Sequence, residues 1–419
     1  MTARLQGNAG EEWRSHWPMV AAASAGMAMA AVISFAMGLF IAPLEKEFGW
    51  SRTAISSGHL IAATATILLS PVGGFLVDRF GPRRIGIVAV LAMWGALSLF
   101  GLTGHSIWSW RFFWIFAAAA TVIIQPMVWT SAVTGMFSSA RGLALAVTLC
   151  GSSICSIVTP PLTFWLIARF GWRLAFPALA LCWAAVVLPL VLAFFTSAQD
   201  KRRRETPLAP LAARPAFLTS FRGEVLTVRF AQLALAGFCV ALAVVSVSVT
   251  IVPILSAKHI ARGEAAGIAS LLGFSAIFGR LTIGHLLDRL EGRLIAAGVV
   301  CMPILGSLIL IASPGSAAAA ALAVLIFGLS MGAELDLLAY LTSRYFQPAS
   351  FGMTFGTIGG FIAMAGAIGP VVLNWVYDRT HSYDAALWGI LPVCLLSALL
   401  FLLLGPYPPA HAPADIALA

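Results

Sequence analysis

Charge is scarce in this chain. Only 10% of its 419 residues are Asp, Glu, Lys or Arg, against 60% that are hydrophobic, whereas soluble domains carry about 25% charged residues. So little charge excludes a water-facing surface over most of the molecule, and with it a soluble enzyme of ordinary build. Acids are the scarcer kind, 16 against 25 basic residues. Cysteine is sparse as well. Cys150, Cys155, Cys182, Cys239, Cys301 and Cys394 lack any metal-ligand spacing, so neither a metal centre nor a cofactor is expected, and the six read as small, reduced residues. No phosphate loop and no nucleophile–base pairing stands out, so no enzymatic activity is expected. The segment from Met1 to Trp17 is polar and lacks the apolar core and small-residue cleavage site of a removable signal.

What is abundant is apolar sequence in runs of about 20 residues, the length that crosses a hydrocarbon core at about 1.5 Å per residue. The expected fold is all-α, with twelve transmembrane helices near 18–42, 53–77, 85–104, 110–135, 143–167, 174–195, 229–255, 265–287, 294–313, 317–341, 352–376 and 385–405. With the N-terminus inside, the inner loops and termini hold fifteen Lys/Arg and the outer loops eight. Arg229 and Arg280 fall within spans and complete the 25. That asymmetry is the positive-inside bias. The basic character therefore orients the chain in its bilayer rather than binding nucleic acid, and both termini are expected in the cytoplasm. The densest basic run, Lys201–Arg204, lies in a proline-containing stretch between the sixth and seventh spans.

A repeat divides the chain in two. GGFLVDRFGPRR (Gly73 to Arg84) follows the second span and GHLLDRLEGR (Gly284 to Arg293) the eighth. Gly74, Asp78, Arg79 and Arg83 match Gly284, Asp288, Arg289 and Arg293 at an offset of 210, and Pro160, Trp165 and Arg169 match Pro370, Trp375 and Arg379 at the same offset. Seven matches at one offset, half the chain length, imply two pseudo-symmetric six-helix bundles, 1–197 and 223–419, joined by a basic linker, 198–222. Paired bundles suit a carrier that rocks about a site between them. Asp78, Arg79, Arg83, Arg84, Asp288 and Arg289 are candidate gating residues that could pair across the halves, although simple positive-inside anchoring explains them too.

These motifs carry a resemblance. Gly73 to Arg84 resembles the loop 2–3 signature of the major facilitator superfamily, and the likeness runs over essentially the whole chain. PLEKEFGWSRTAIS (Pro43 to Ser56), RGLALAVTLCGSSICSIVTPPL (Arg141 to Leu162), FGRLTIGHLLDR (Phe278 to Arg289) and GAELDLLAYLTSRYF (Gly332 to Phe346) resemble its monocarboxylate and oxalate/formate branch. The resemblance implies a monomeric carrier in a bacterial inner membrane, and it implies that Arg280, in the span-8 motif, holds a substrate carboxylate. Three family features are missing: span 1 reads ASAGMAMAAVISF (Ala23 to Phe35) without an acid, span 11 has no lysine, and span 8 has Ala276, not an acid, four residues before Arg280.

Ionisable residues inside a membrane are costly and are functional candidates by default. Away from span ends there are three: Arg280, Glu334 and Asp336. Arg280 and Asp336 come to matching depth, so they are expected to pair. Glu334 and Asp336, two residues apart, lie about 200° apart on a helix and cannot share one face. Either is a candidate for proton coupling, with Tyr340 one turn from Asp336 on the substrate side. A buried structural ion pair is the plainer reading of all three. The first half offers Gln125, Trp129, Thr130 and Ser152 as substrate contacts, with Ser153 and His59 as further polar groups. The expected activity is proton-coupled carriage of a small organic anion. The alternatives are efflux or uptake of a neutral or amphipathic solute and, further off, a membrane sensor without transport.

Overall fold

In lipid a backbone must satisfy its own hydrogen bonds, which leaves helices or closed barrels. The computed structural model describes residues 9–137, 141–196, 227–287, 289–346, 351–405 and 407, and among them it is helical without a strand. The helices of the first half are α1 (Ala9–Phe48), α2 (Arg52–Ser56), α3 (Gly58–Phe80), α4 (Pro82–Leu99), α5 (Ile107–Ile123), α6 (Pro126–Met136) and α7 (Arg141–Phe194). Those of the second are α8 (Val228–Ala257), α9 (Arg262–Ala269), α10 (Leu271–Leu287), α11 (Gly292–Ala312), α12 (Ala317–Tyr345), α13 (Phe351–Thr380) and α14 (Asp384–Leu402). The expected linker, 198–222, lies outside the described residues.

Among the described residues, ten helices are long and apolar enough to cross a membrane. The longest, α7, is broken at Gly171, whose φ of 75° and ψ of 163° lie outside the helical region, so it supplies two crossings. The 23-residue α3 supplies one more. The total is the expected twelve. One end of the bundle carries the start of α1 and the end of α14 and is called here the terminal face. The other, carrying Phe48 to Arg52 and Lys258 to Arg262, is the distal face.

Two apolar cores form. One is built from residues between Met19 and Phe195, the other from residues between Phe230 and Leu404, with Leu39 of α1 packed into the second. Large apolar side chains such as Leu181, Leu281, Leu305 and Trp388 are exposed. In water such a surface would be a liability; in hydrocarbon it is the expected exterior. The most enclosed spans are α1 and α8, which meet each other at the centre. There, a Cβ on Gly38 would stand 2.7 Å from the Val249 carbonyl oxygen. Likewise Gly273 of α10 abuts Ser153 and Ser156 of α7. Small residues let helices from the two halves approach this closely, since lipid offers no hydrophobic drive between them.

Candidate functional site

The second half is built around the α10–α12 contact. Gly328 and Gly332 of α12 sit on the backbone of Leu272 and Ala276, and Gly279 of α10 sits on that of Leu329. This close packing brings Arg280 to Asp336, with Arg280 Nε 3.0 Å from Asp336 Oδ2. Arg280 lies seven residues, about two turns, beyond Gly273, the residue that meets α7. It therefore occupies the edge of α10 between its own partner helix and the opposite half. The Arg280 side chain is only 9% exposed, that of Asp336 27%, so the cation is enclosed and its counter-charge stays reachable. The pair is close but poorly aligned: Arg280 Nε and Nη1 have no hydrogen-bond partner among the described residues. Buried donors left open are costly, and a guanidinium presents a planar fork matched to a carboxylate. The site can accept an anion.

Glu334 is buried, and its Oε1 has no hydrogen-bond partner among the described residues. It lies one turn beyond Ser330, whose hydroxyl donates to the Val299 carbonyl of α11, so it faces α11 rather than α10. The two-residue spacing thus separates the acids, with Asp336 on the Arg280 side.

Two expected substrate contacts stand elsewhere. Trp129 is fully buried within the first half: its ring fills the space left by Gly26 and Gly86, lies tilted against Phe195 with centroids 5.1 Å apart, and its indole donates to the Ile124 carbonyl. It is a packing residue, because glycines on α1 and α4 leave a slot that only a large ring fills. Tyr340 turns from the Asp336 side to Gly292 of α11, where a Cβ would lie 2.8 Å from both its ring and the Tyr407 hydroxyl. The vacancy at Gly292 draws the ring toward the terminal face.

The other first-half candidates are not joined to Arg280 by a hydrogen bond or ion pair among the described residues. Gln125 sits at the α5–α6 break with Nε2 buried and unpartnered there. The Thr130 and Ser152 hydroxyls donate to carbonyls of their own helices, Pro126 and Leu149. His59 hydrogen-bonds through Nδ1 with the Ser56 carbonyl and lies against Trp114. At the terminal face, Arg83 donates to the Leu192 carbonyl of its own half at 2.6 Å, and the Arg79 guanidinium lies near the Phe75 and Phe80 rings. Arg84 and Arg289 are exposed. Asp288 and the Asp78 side chain lie outside the described residues.

Hydrogen bonds that cross between the halves gather instead at the distal face. Asp378 of α13 accepts from the Arg52 and Thr53 backbone N–H groups, at 3.2 and 2.9 Å, and from the Thr53 hydroxyl at 2.5 Å. Arg52 Nη1 donates to the Tyr383 hydroxyl, and its guanidinium lies 3.8 Å over the Tyr377 ring. Tyr383 donates to Asn374 Oδ1, and Asn374 Nδ2 donates to the Ser56 hydroxyl. Burial pushes the Tyr383 phenol up, which keeps it a donor at any working pH. None of Arg52, Ser56, Asn374, Asp378 or Tyr383 was singled out by sequence. The available signal was a charged or polar residue near a span end on each half, at the same face.

Residues 21–349 match the family model for the Major Facilitator Superfamily. The chain is 22% identical to monocarboxylate transporter 12 of Rattus norvegicus over 408 residues, covering 88% of this chain and 81% of that protein. It is 27% identical to a probable sulfoacetate transporter of Cupriavidus necator over 395 residues, covering 86% and 85%. Among solved structures, a D-xylose–proton symporter superposes with a TM-score of 0.71 at 13% identity, covering 93% of this chain and 98% of that one.

Proposed function

Because the chain belongs to the Major Facilitator Superfamily, a family of transporters rather than enzymes, we propose that it carries a small organic anion of the monocarboxylate kind, driven by protons, through alternating access. The observation that carries this reading is Arg280: enclosed, at the edge facing the other half, with open donors and a single partly exposed counter-charge. An arriving carboxylate would replace Asp336 on the guanidinium and leave Asp336 to take up a proton. Loading and protonation are then linked, and Glu334 is the second candidate for the proton. The relatives support the cargo class, since one is named for monocarboxylates and one for sulfoacetate.

In this reading the bundles 1–197 and 223–419 rock about the 198–222 linker. Asp78, Arg79, Arg83, Arg84, Asp288 and Arg289 pair when the terminal face closes, and Gln125, Thr130 and Ser152 line the first-half side of the path. The protein works as a monomer in a bacterial inner membrane with both termini cytoplasmic. Proteoliposome uptake of a carboxylate panel, with and without a pH gradient, tests it. Arg280→Lys should bind weakly, Arg280→Gln should not carry anions, and Asp336→Asn should exchange substrate without accumulating it. Wild-type uptake by a correctly inserted Arg280→Gln protein would sink the anion reading in favour of a neutral solute.

A further inference from the structure

The distal face holds a cavity of about 680 Å³ that none of the residues discussed for Arg280 reaches. Its walls come from the end of α1, from Phe164 and Ile167 of α7, from Ser256 at the end of α8, and from the turn into α9, with Arg52 and Tyr377 closing one side. Its polar lining consists of the basic Arg52, His259 and Arg262 with the neutral Ser256 and Tyr377, and among the described residues no carboxylate lines it. The Arg52 charge is matched by Glu45 at 3.1 Å. Arg262, by contrast, is exposed and has no ion-pair partner among the described residues.

Two features of the backbone point the same way. His259 has a φ of 67°, in the left-handed region that a side chain with a Cβ enters only against steric resistance. It stands just past α8, where the Ile260 N–H returns to the Leu255 carbonyl, the position that glycine usually takes in such a helix end. A histidine held there keeps an imidazole at the cavity rim at the expense of local strain, a pattern that clusters at ligand sites. Then α9 begins at Arg262 with Ala261 before it, no side-chain cap, and Glu264 as the one acid of its first turn; its first N–H groups remain uncapped beside the two basic side chains.

We propose that this vestibule is a second organic-anion site, separate from Arg280, which takes an amphipathic monoanion with a ring system. The carboxylate would lie between Arg262, His259 and the start of α9, and the ring against Phe164, Ile167 and the apolar end of α1. The volume decides for a larger ligand, because cavities of about 300–1,000 Å³ enclose drug-sized molecules and a small monocarboxylate would leave most of this one empty. Separation from the inner site is equally clear. Arg262 and Arg280 stand on successive helices eighteen residues apart, at most about 27 Å of helical rise, and the Gly38–Val249 contact lies between them as a floor.

The test is calorimetric titration of 2-naphthoate, with naphthalene-2-methanol as its neutral counterpart, into the full chain in nanodiscs. Arg280→Gln removes the inner guanidinium and isolates the vestibule, so it serves as background. That protein should bind 2-naphthoate and not the alcohol. Adding Arg262→Gln should weaken binding at least about tenfold. Adding His259→Gly should also weaken it while the melting temperature stays level or rises, because glycine relieves the backbone and a lost fold cannot then explain the loss. If Arg280→Gln alone abolishes 2-naphthoate binding, or if neither added substitution weakens it, the second site does not exist. Neither outcome removes Arg280 from the transport path, which the uptake assay reads separately.

Discussion

Replacing Asp378 with asparagine isolates the contact that holds the distal face shut. The Asp378 carboxylate takes three hydrogen bonds from the other half, two of them from backbone N–H groups at the start of α2, where a helix has no internal partner for them. Asparagine keeps the volume but loses the charge and turns an NH₂ group toward donors, so one bond is lost and two become neutral. A bond to a charged group contributes about 1.5–3 kcal/mol and a neutral one about 0.5–1.5. Halved for the partial exposure of the site, the loss is about 2 kcal/mol, roughly 30-fold in the ratio of closed to open forms. Nitroxide labels at Lys46→Cys and Arg379→Cys, exposed on opposite halves at this face, would report it by electron–electron distance measurement in an active background free of native cysteines. Asp378→Asn should add a population at longer distance. An unchanged distribution would mean that the carboxylate does not hold the halves together and that the apolar contacts at α1 and α8 suffice.

Gly38→Val attacks those apolar contacts. A Cβ there meets the Val249 carbonyl at 2.7 Å, and backbone cannot swing aside, so the same label pair should shift to long distances and uptake should fall while the protein stays monodisperse. Trp129→Ala should behave differently, lowering stability by about 3–5 kcal/mol as a large buried ring is lost and leaving KM nearly unchanged. A large rise in KM with an unaltered melting temperature would restore the indole to the substrate path.

The membrane architecture was legible in the sequence because its causes are local. A run of about 20 apolar residues can only cross as a helix, and an offset of 210 repeated seven times needs no coordinates to be seen. The angular separation of Glu334 and Asp336 was legible for the same reason, since helical period alone sets it. Twelve crossings emerged although only ten helices among the described residues pass on length and apolarity, because Gly171 breaks one continuous helical stretch into two crossings and the 23-residue α3 adds another. The placement of Tyr340 and Trp129 was not legible, because residue type and helical phase do not reveal which neighbour offers space. Gly292 and the Gly26–Gly86 slot claimed those rings, and both glycines and rings look ordinary until the helices are packed.

The pairing of Arg280 with Asp336 sits between these cases. Matching depth and the cost of a lone charge in lipid made the pair predictable, since each residue had few others to meet. The distal contacts of Arg52 with Asp378 and Tyr383, and the basic vestibule beside them, were not predictable. Their members are 325 to 331 residues apart, they lie at span ends where any polar residue is tolerated, and no local preference selects one partner over another. Chain chemistry decides which segments enter the bilayer and which charges cannot stand alone. Which residues close a face, and what cavity remains above that closure, depends on how the two bundles meet, and that is set by the summed fit of many helix surfaces.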